Sequence, residues 1–112
     1  MKVHNDKCPA EFTLAMIGGR WKIPILFHLL AGRKRFSDLS RAITGVTQKM
    51  LTQQLREMER NGLVERQVFA QVPPKVEYSL TELGASLEPV VESMCRWGLT
   101  HSAKHPVVEL RG

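Results

Sequence analysis

The stretch SDLSRAITGVTQKMLTQQLREMERNG, residues 37–62, decides the fold of this chain. Apolar residues recur at helical spacing on both sides of a short segment at residues 44–46 that contains a glycine. The spacing predicts one helix at residues 37–43, capped by Ser37, and a longer helix at residues 48–60. Two helices joined by so short a turn form a helix-turn-helix.

The longer helix has one apolar and one polar face. Leu51, Leu55 and Met58 form a stripe that we expect to face the core, and Thr47 is expected to cap the N-terminus. The opposite face has no acidic side chain in its first two turns and consists of Thr47, Gln48, Lys49, Thr52, Gln53 and Arg56. Glutamine can pair with adenine edges, arginine with guanine, threonine with the thymine methyl group and lysine with phosphate. This face is therefore suited to reading bases in the major groove of DNA.

Two helical segments precede this pair. Pro9 favours the first position of a helix, which places Cys8 at its N-cap, and the glycines at 18 and 19 are expected to end it. Apolar residues at helical spacing predict a second helix from Trp21 to Ala31.

A hairpin and a last helix follow the pair. Residues 64–72 alternate in part between apolar and polar, residues 76–80 alternate cleanly, and a turn at residues 73–75 joins them. From Thr81 the helical spacing returns, and we expect Pro89 to kink that helix. This order predicts a mainly α fold with a small β-hairpin, a winged helix-turn-helix with added N- and C-terminal helices.

The length of 112 residues suits one domain, which we expect over residues 8–101, with short flexible termini at residues 1–7 and 102–112. The apolar stretch at residues 23–32 is about half as long as a membrane-spanning helix. The first residues lack the apolar run of a secretory signal. We therefore expect a cytoplasmic protein that does not contact membranes.

The positive charge of the chain is concentrated in its middle. The whole chain carries +5, whereas residues 20–75 hold eleven basic and four acidic residues, a net charge of +7. Such a concentrated positive field attracts a polyanion. Further candidates for contacts with DNA, with plain solvation as the alternative for each, are Arg35, Arg41, Arg66 and Lys75.

Neither a catalytic nor a metal-binding grouping stands out. The four histidines are scattered, and neither a GxGxxG nor a GxxxxGK phosphate loop occurs. Cys95, His101 and His105 could provide metal ligands, but they run into a tail with Pro106 that should not stay helical. We expect no enzymatic activity, no cofactor and no metal.

Several segments together resemble the HxlR family of bacterial transcription regulators, which are MarR-like winged-helix proteins. They are CP from residue 8, GGRWKIPIL from residue 18, RFSDL from residue 35, GVTQKMLT from residue 45, LVER from residue 63 and VEYSLTELG from residue 76. The resemblance covers residues 8–101. It implies a homodimer that binds an inverted-repeat operator, with the helix from Thr47 as the recognition helix and the hairpin of residues 64–80 as the wing.

The resemblance also implies that the first and last helices form the subunit contact. The apolar residues that this assigns to the contact are Phe12, Leu87, Val91, Met94 and Trp97. A domain of this size has difficulty burying the apolar stripe of its last helix alone, and a palindromic site needs a two-fold protein. The alternative is that the stripe packs on its own chain.

The two cysteines, Cys8 and Cys95, are too far apart in sequence for a CxxC motif and are expected to be free thiols. A helix N-terminus beside Lys7 would favour the thiolate of Cys8 and raise its reactivity. Some HxlR members sense oxidants or electrophiles with the cysteine at this position, so that Cys8 is a candidate redox sensor. A disulfide to Cys95 of the partner subunit is a hypothesis. The alternatives are a capping or packing role for Cys8 and a small buried apolar role for Cys95.

These features favour a sequence-specific transcription regulator, with repression by promoter occlusion as the simpler mode and an oxidant or small molecule as its effector. The alternative is a winged-helix module that contacts protein or RNA without reading an operator. Such a module would not require the acid-free first half of the helix from Thr47.

Overall fold

The computed structural model describes residues 8–105. The elements in this range are α1 Pro9–Ile17, α2 Lys22–Leu30, β1 Lys34–Arg35, α3 Phe36–Ala42, α4 Gln48–Arg60, β2 Val64–Phe69, β3 Lys75–Leu80, α5 Glu82–Ala85, α6 Glu88–His101 and a 3-10 turn at Ser102–Lys104. Of the ends expected to be flexible, residues 1–7 and 106–112 lie outside the described residues, whereas Ser102–Lys104 at the start of the expected C-terminal end form the 3-10 turn. Within the described part of the chain, no helix combines the length and apolarity needed to cross a bilayer.

The winged helix-turn-helix predicted from the sequence is confirmed. α4 has the bounds that the spacing predicted, and the Thr47 hydroxyl accepts a hydrogen bond from the Met50 backbone N–H at 3.1 Å. Gly45, in the turn between α3 and α4, has a φ of +86°, a conformation that favours glycine. The short turn and the cap therefore decide where α4 starts.

The predicted cap at Ser37 is wrong. α3 begins one residue earlier, at Phe36, and Arg35 is its N-cap. The Arg35 backbone N–H donates to the Asp38 carboxylate at 3.2 Å, so that an acid in the first turn provides the cap. The cap also lies at the end of β1, whose pairing keeps Arg35 extended.

The hairpin is part of a three-stranded antiparallel sheet in the order β1-β3-β2. Val64 lies opposite Leu80 and Phe69 opposite Lys75, as in a simple hairpin. β1 adds two residues on the other side of β3, with Lys34 opposite Tyr78. A two-residue strand has no periodicity, so the sequence analysis did not find it.

The expected kink at Pro89 is also wrong. The last helical segment is broken into α5 and α6, and Pro89 lies in the first turn of α6. The missing N–H of a proline removes no hydrogen bond there, because first-turn N–H groups have no partner inside the helix.

The core joins α2, α3 and α4 to the sheet and to α6. Its fully buried side chains are Ile25, Leu26, Leu39, Leu51, Leu55, Met58, Leu63, Val64 and Val91. Val91 is only 1% exposed. It packs within its own chain and has no free surface for the subunit contact that the sequence analysis assigned to it.

Candidate nucleic-acid interface

α4 presents one continuous polar surface on the side opposite its buried stripe. The side chains that line it are Gln48, Lys49, Thr52, Gln53, Arg56 and Arg60. Thr52 is half-buried and the others are exposed. We call these six residues the polar face of α4. Five of them are residues that the sequence analysis proposed, and Arg60, one turn after Arg56, is added by the structure.

Thr47 lies at the N-terminal edge of this face. Its hydroxyl oxygen accepts the Met50 N–H, so its first role is to start α4. The residue is exposed, which leaves its methyl group accessible.

Arg66, on β2, is brought next to the polar face. A cleft between α4 and the sheet is lined by Thr52, Arg56 and Arg66, together with Phe36, Glu59, Val76 and Tyr78. Arg56 and Arg66 are ten residues apart in sequence, and only the fold of the sheet against α4 places them in one cleft. Arg66 thereby adds a second cation beside Arg56, and the exposed carboxylate of Glu59 lines the same cleft.

Lys75 is less available than its position near the hairpin turn predicted. Its ammonium lies 4.4 Å from the centre of the Phe69 ring and 3.6 Å from a Glu77 carboxylate oxygen. The side chain is 25% exposed. Lys75 is thus held against the sheet.

The two remaining arginine candidates lie at opposite ends of α3, Arg35 at its N-cap and Arg41 in its last turn. Arg41 pairs with Asp38 at 2.9 Å, on the surface of α3. Arg35 is exposed and lines a cleft between α3 and the hairpin turn, together with Pro73 and Pro74. Neither of them reaches the polar face of α4 in the way that Arg66 does.

Two acidic residues near the interface are paired, whereas Glu59, which lines the cleft with Arg56 and Arg66, is exposed and in no ion pair within the described residues. Glu57 pairs with Lys22 at 3.1 Å, and Glu77 lies within 3.6 Å of both Arg33 and Lys75. By contrast, within residues 8–105 no ion pair engages the four cations around α4, which are Lys49, Arg56, Arg60 and Arg66. Their charge remains available for a polyanion.

Apolar side chains are also exposed on two other helices, α1 and α6, and we refer to these side chains as the apolar surface on α1 and α6. Phe12 is 71% exposed, Met94 51% and Trp97 68%, and Leu14 and Leu99 are exposed as well. Leu87 differs from these residues because it is partly buried against the core of its own chain.

The two cysteines lie in different environments. Cys8 is exposed at the N-cap of α1. Cys95 is half-buried in a groove between α2 and α6, where Phe27, Leu30 and Leu99 also line the wall. His101 packs its ring at 4.7 Å from the Trp97 ring, and within residues 8–105 no cluster of three metal-ligating side chains occurs.

Comparison with known proteins agrees with this architecture. The HxlR-like helix-turn-helix family matches residues 16–106. The chain belongs to this family. As an HxlR-type protein it is a transcriptional regulator with a DNA-binding helix-turn-helix and a MarR-like fold.

Individual relatives support the assignment. The uncharacterized HTH-type transcriptional regulator YybR of Bacillus subtilis strain 168 is 54% identical over 95 residues, which cover 85% of this HxlR-type chain and 76% of YybR. The solved structure of the redox regulator HypR in its oxidized form has a TM-score of 0.80 at 54% identity and covers 84% of this chain and 97% of that chain. A structure described as a transcriptional regulator of the MarR family, from Porphyromonas gingivalis W83, has a TM-score of 0.83 at 32% identity, with coverage of 90% and 99%.

Proposed function

We propose that this HxlR-type regulator is a cytoplasmic repressor that binds an inverted-repeat operator as a homodimer. The polar face of α4 is the observation that carries the proposal. It combines amide and hydroxyl groups with three cations that have no ion pair within residues 8–105, above a fully buried stripe that fixes its orientation. An ordinary solvated helix face mixes acids with bases, whereas this one has no acidic member.

The side chains of this face divide by chemistry. Gln53 and Arg56 carry the groups that pair with adenine and guanine edges, and we assign base reading to them. Lys49 and Arg60 supply charge for phosphates, and Arg66 extends this contact onto the sheet. The wing thus acts mainly through Arg66, because Lys75 is held against Phe69 and Glu77.

A second copy of the chain is the proposed occupant of the apolar surface on α1 and α6. Exposed Phe12, Met94 and Trp97 are costly to leave in water, and burial against an identical surface removes this cost. A two-fold dimer also presents two α4 helices to two half-sites of a palindrome. Occlusion of a promoter by such a dimer needs no further domain.

Thiol oxidation is the proposed control of this regulator, supported by the likeness to the redox regulator HypR. Cys8 is exposed, so an oxidant such as hydrogen peroxide has access to its sulfur. The Cys8 thiolate would attack one oxygen of the peroxide and break the O–O bond, giving a sulfenic acid and hydroxide, which takes a proton from solvent to become water. The thiol of Cys95 of the partner subunit would then displace hydroxide, which leaves as a second water, and form the disulfide.

A gel shift with a duplex from the region upstream of the regulator's own gene tests the proposal. We expect binding to that duplex to exceed binding to a scrambled duplex of equal length, with log K falling steeply as log salt rises. Footprinting on the same duplex should protect a dyad. Equal weak binding to any duplex, or tighter binding to RNA, would contradict operator reading and favour the winged-helix module.

A further inference from the structure

Lys22, at the start of α2, carries a buried charge. Its side chain is 7% exposed, and its ammonium lies 3.1 Å from a carboxylate oxygen of Glu57 on α4. Among residues 8–105, Lys22 is the one charged residue that is buried. Burial of an unpaired ammonium lowers the stability of a protein, and the contact with Glu57 offsets this cost for Lys22.

An unpaired carboxylate at Glu57 would lie next to the side chains of α4 that we propose to contact DNA. It follows Gln53 by four residues and precedes Arg60 by three, so it is a neighbour of both along the surface of α4. The Glu57 side chain is 39% exposed, which leaves its carboxylate within reach of solvent. Without another partner it could pair with Arg60 or repel an approaching phosphate.

Arg60 has no ion pair within the described residues, although Glu57 lies only three residues before it. Arg60 lines the polar face of α4. The Glu57 carboxylate is paired with Lys22 of α2 and not with Arg60 of its own helix. Lys22, which is buried, neutralises the Glu57 carboxylate. Arg60, which is exposed, has no ion pair within the described residues.

We propose that Lys22 is a positioning residue of the DNA interface. It holds the Glu57 carboxylate toward α2, keeps Arg60 unpaired and so keeps the DNA-facing side of α4 positive. This inference rests on the proposed function, since it concerns the affinity of the same face for DNA.

Lys22→Met is the variant that tests this role. Methionine replaces the aliphatic stem, and the half-exposed Glu57 stays hydrated, so we expect the protein to remain folded. Its affinity for a duplex spanning the footprint should fall about tenfold, and the slope of log K against log salt should decrease by about one for each half-site. Arg60→Gln should weaken binding in the wild type but change it little in the Lys22→Met background, because Arg60 is already engaged there.

The double variant Lys22→Met/Glu57→Gln separates positioning from folding. It has no carboxylate at position 57, so its affinity and its salt slope should return to near the wild-type values. Glu57→Gln alone leaves the buried ammonium unpaired and should lower the unfolding temperature. Lys104→Met, which removes the same charge from the exposed turn after α6, should leave operator affinity nearly unchanged.

The outcomes distinguish this inference from the proposed function. If the wild type protects no dyad, the proposed function fails. If the wild type binds its footprint and Lys22→Met binds equally well, or if the double variant does not regain affinity, the positioning role of Lys22 is overturned. Should Lys22→Met not fold, Lys22→Gln is measured in its place against the same two criteria.

Discussion

Arg56 of α4 and Arg66 of β2 line the same cleft. One residue belongs to the helix that reads bases in our proposal and the other to the sheet that forms the wing. A stretch of DNA backbone seated at this cleft would be contacted from both elements at once. In the proposed complex, α4 and the wing would therefore contact the same stretch of DNA backbone.

Arg66→Ala should weaken binding to the operator and to a scrambled duplex by similar factors, about tenfold at low salt, because a phosphate contact carries no sequence information. Gln53→Ala/Arg56→Ala should act differently and lose most of the preference for the operator while keeping part of the general affinity. Parallel gel-shift titrations with the two duplexes measure both effects. Lys104→Ala is the control for loss of charge, and site preference that survives in the double variant would mean that bases are read elsewhere.

Trp97→Glu should convert the regulator into a monomer. The new carboxylate would replace an exposed apolar ring in the proposed subunit contact. It would have to be desolvated when the dimer forms, at a cost of several kcal/mol. Sedimentation velocity would show the change in mass, and the operator affinity should fall with it. Ala103→Glu adds the same charge to the exposed turn after α6 and should remain dimeric. A wild-type protein that sediments as a monomer would refute the subunit contact.

Cys8→Ser should abolish the response to oxidant without weakening operator binding by the reduced protein. Serine keeps the size of the side chain at the N-cap but cannot form a disulfide. Non-reducing gels before and after mild peroxide measure the crosslink, and gel shifts measure its effect. Cys95→Ser should remove the same crosslinked band. If the band persists in either variant, or if the wild type forms none, the proposed disulfide is wrong.

Gly84→Ala should destabilise the protein by about 1–3 kcal/mol. A methyl group at Gly84 would overlap the backbone carbonyl of Leu63, so α5 would have to move away from the sheet. A methyl group at Gly98, inside α6, meets no atom of residues 8–105 within 4 Å apart from its chain neighbours and its own helix backbone, and Gly98→Ala should stabilise by about 0.5–1 kcal/mol. Thermal unfolding at one protein concentration compares the two variants. Equal effects of both substitutions would contradict this packing.

Local signals explain the parts of the fold that were predicted correctly. The bounds of α4 follow from a threonine cap, helical spacing and a glycine stop, all of which lie within a few residues of the element they control. The start of α3 and the break before Pro89 were missed although the signals were present. Asp38 at the third helical position indicates a cap at Arg35, and a proline is most easily accepted in a first helical turn.

The sequence by itself determined the order of the helices and the hairpin, the acid-free polar side of α4 and the membership in the HxlR family, because these depend on residue identity and short-range spacing. Only the tertiary structure decided that β1 joins the sheet, that Val91 belongs to the core of its own chain and that Lys22 meets Glu57. Each of these depends on contacts between segments that are distant along the chain, and no local pattern specifies which distant partner a side chain will find.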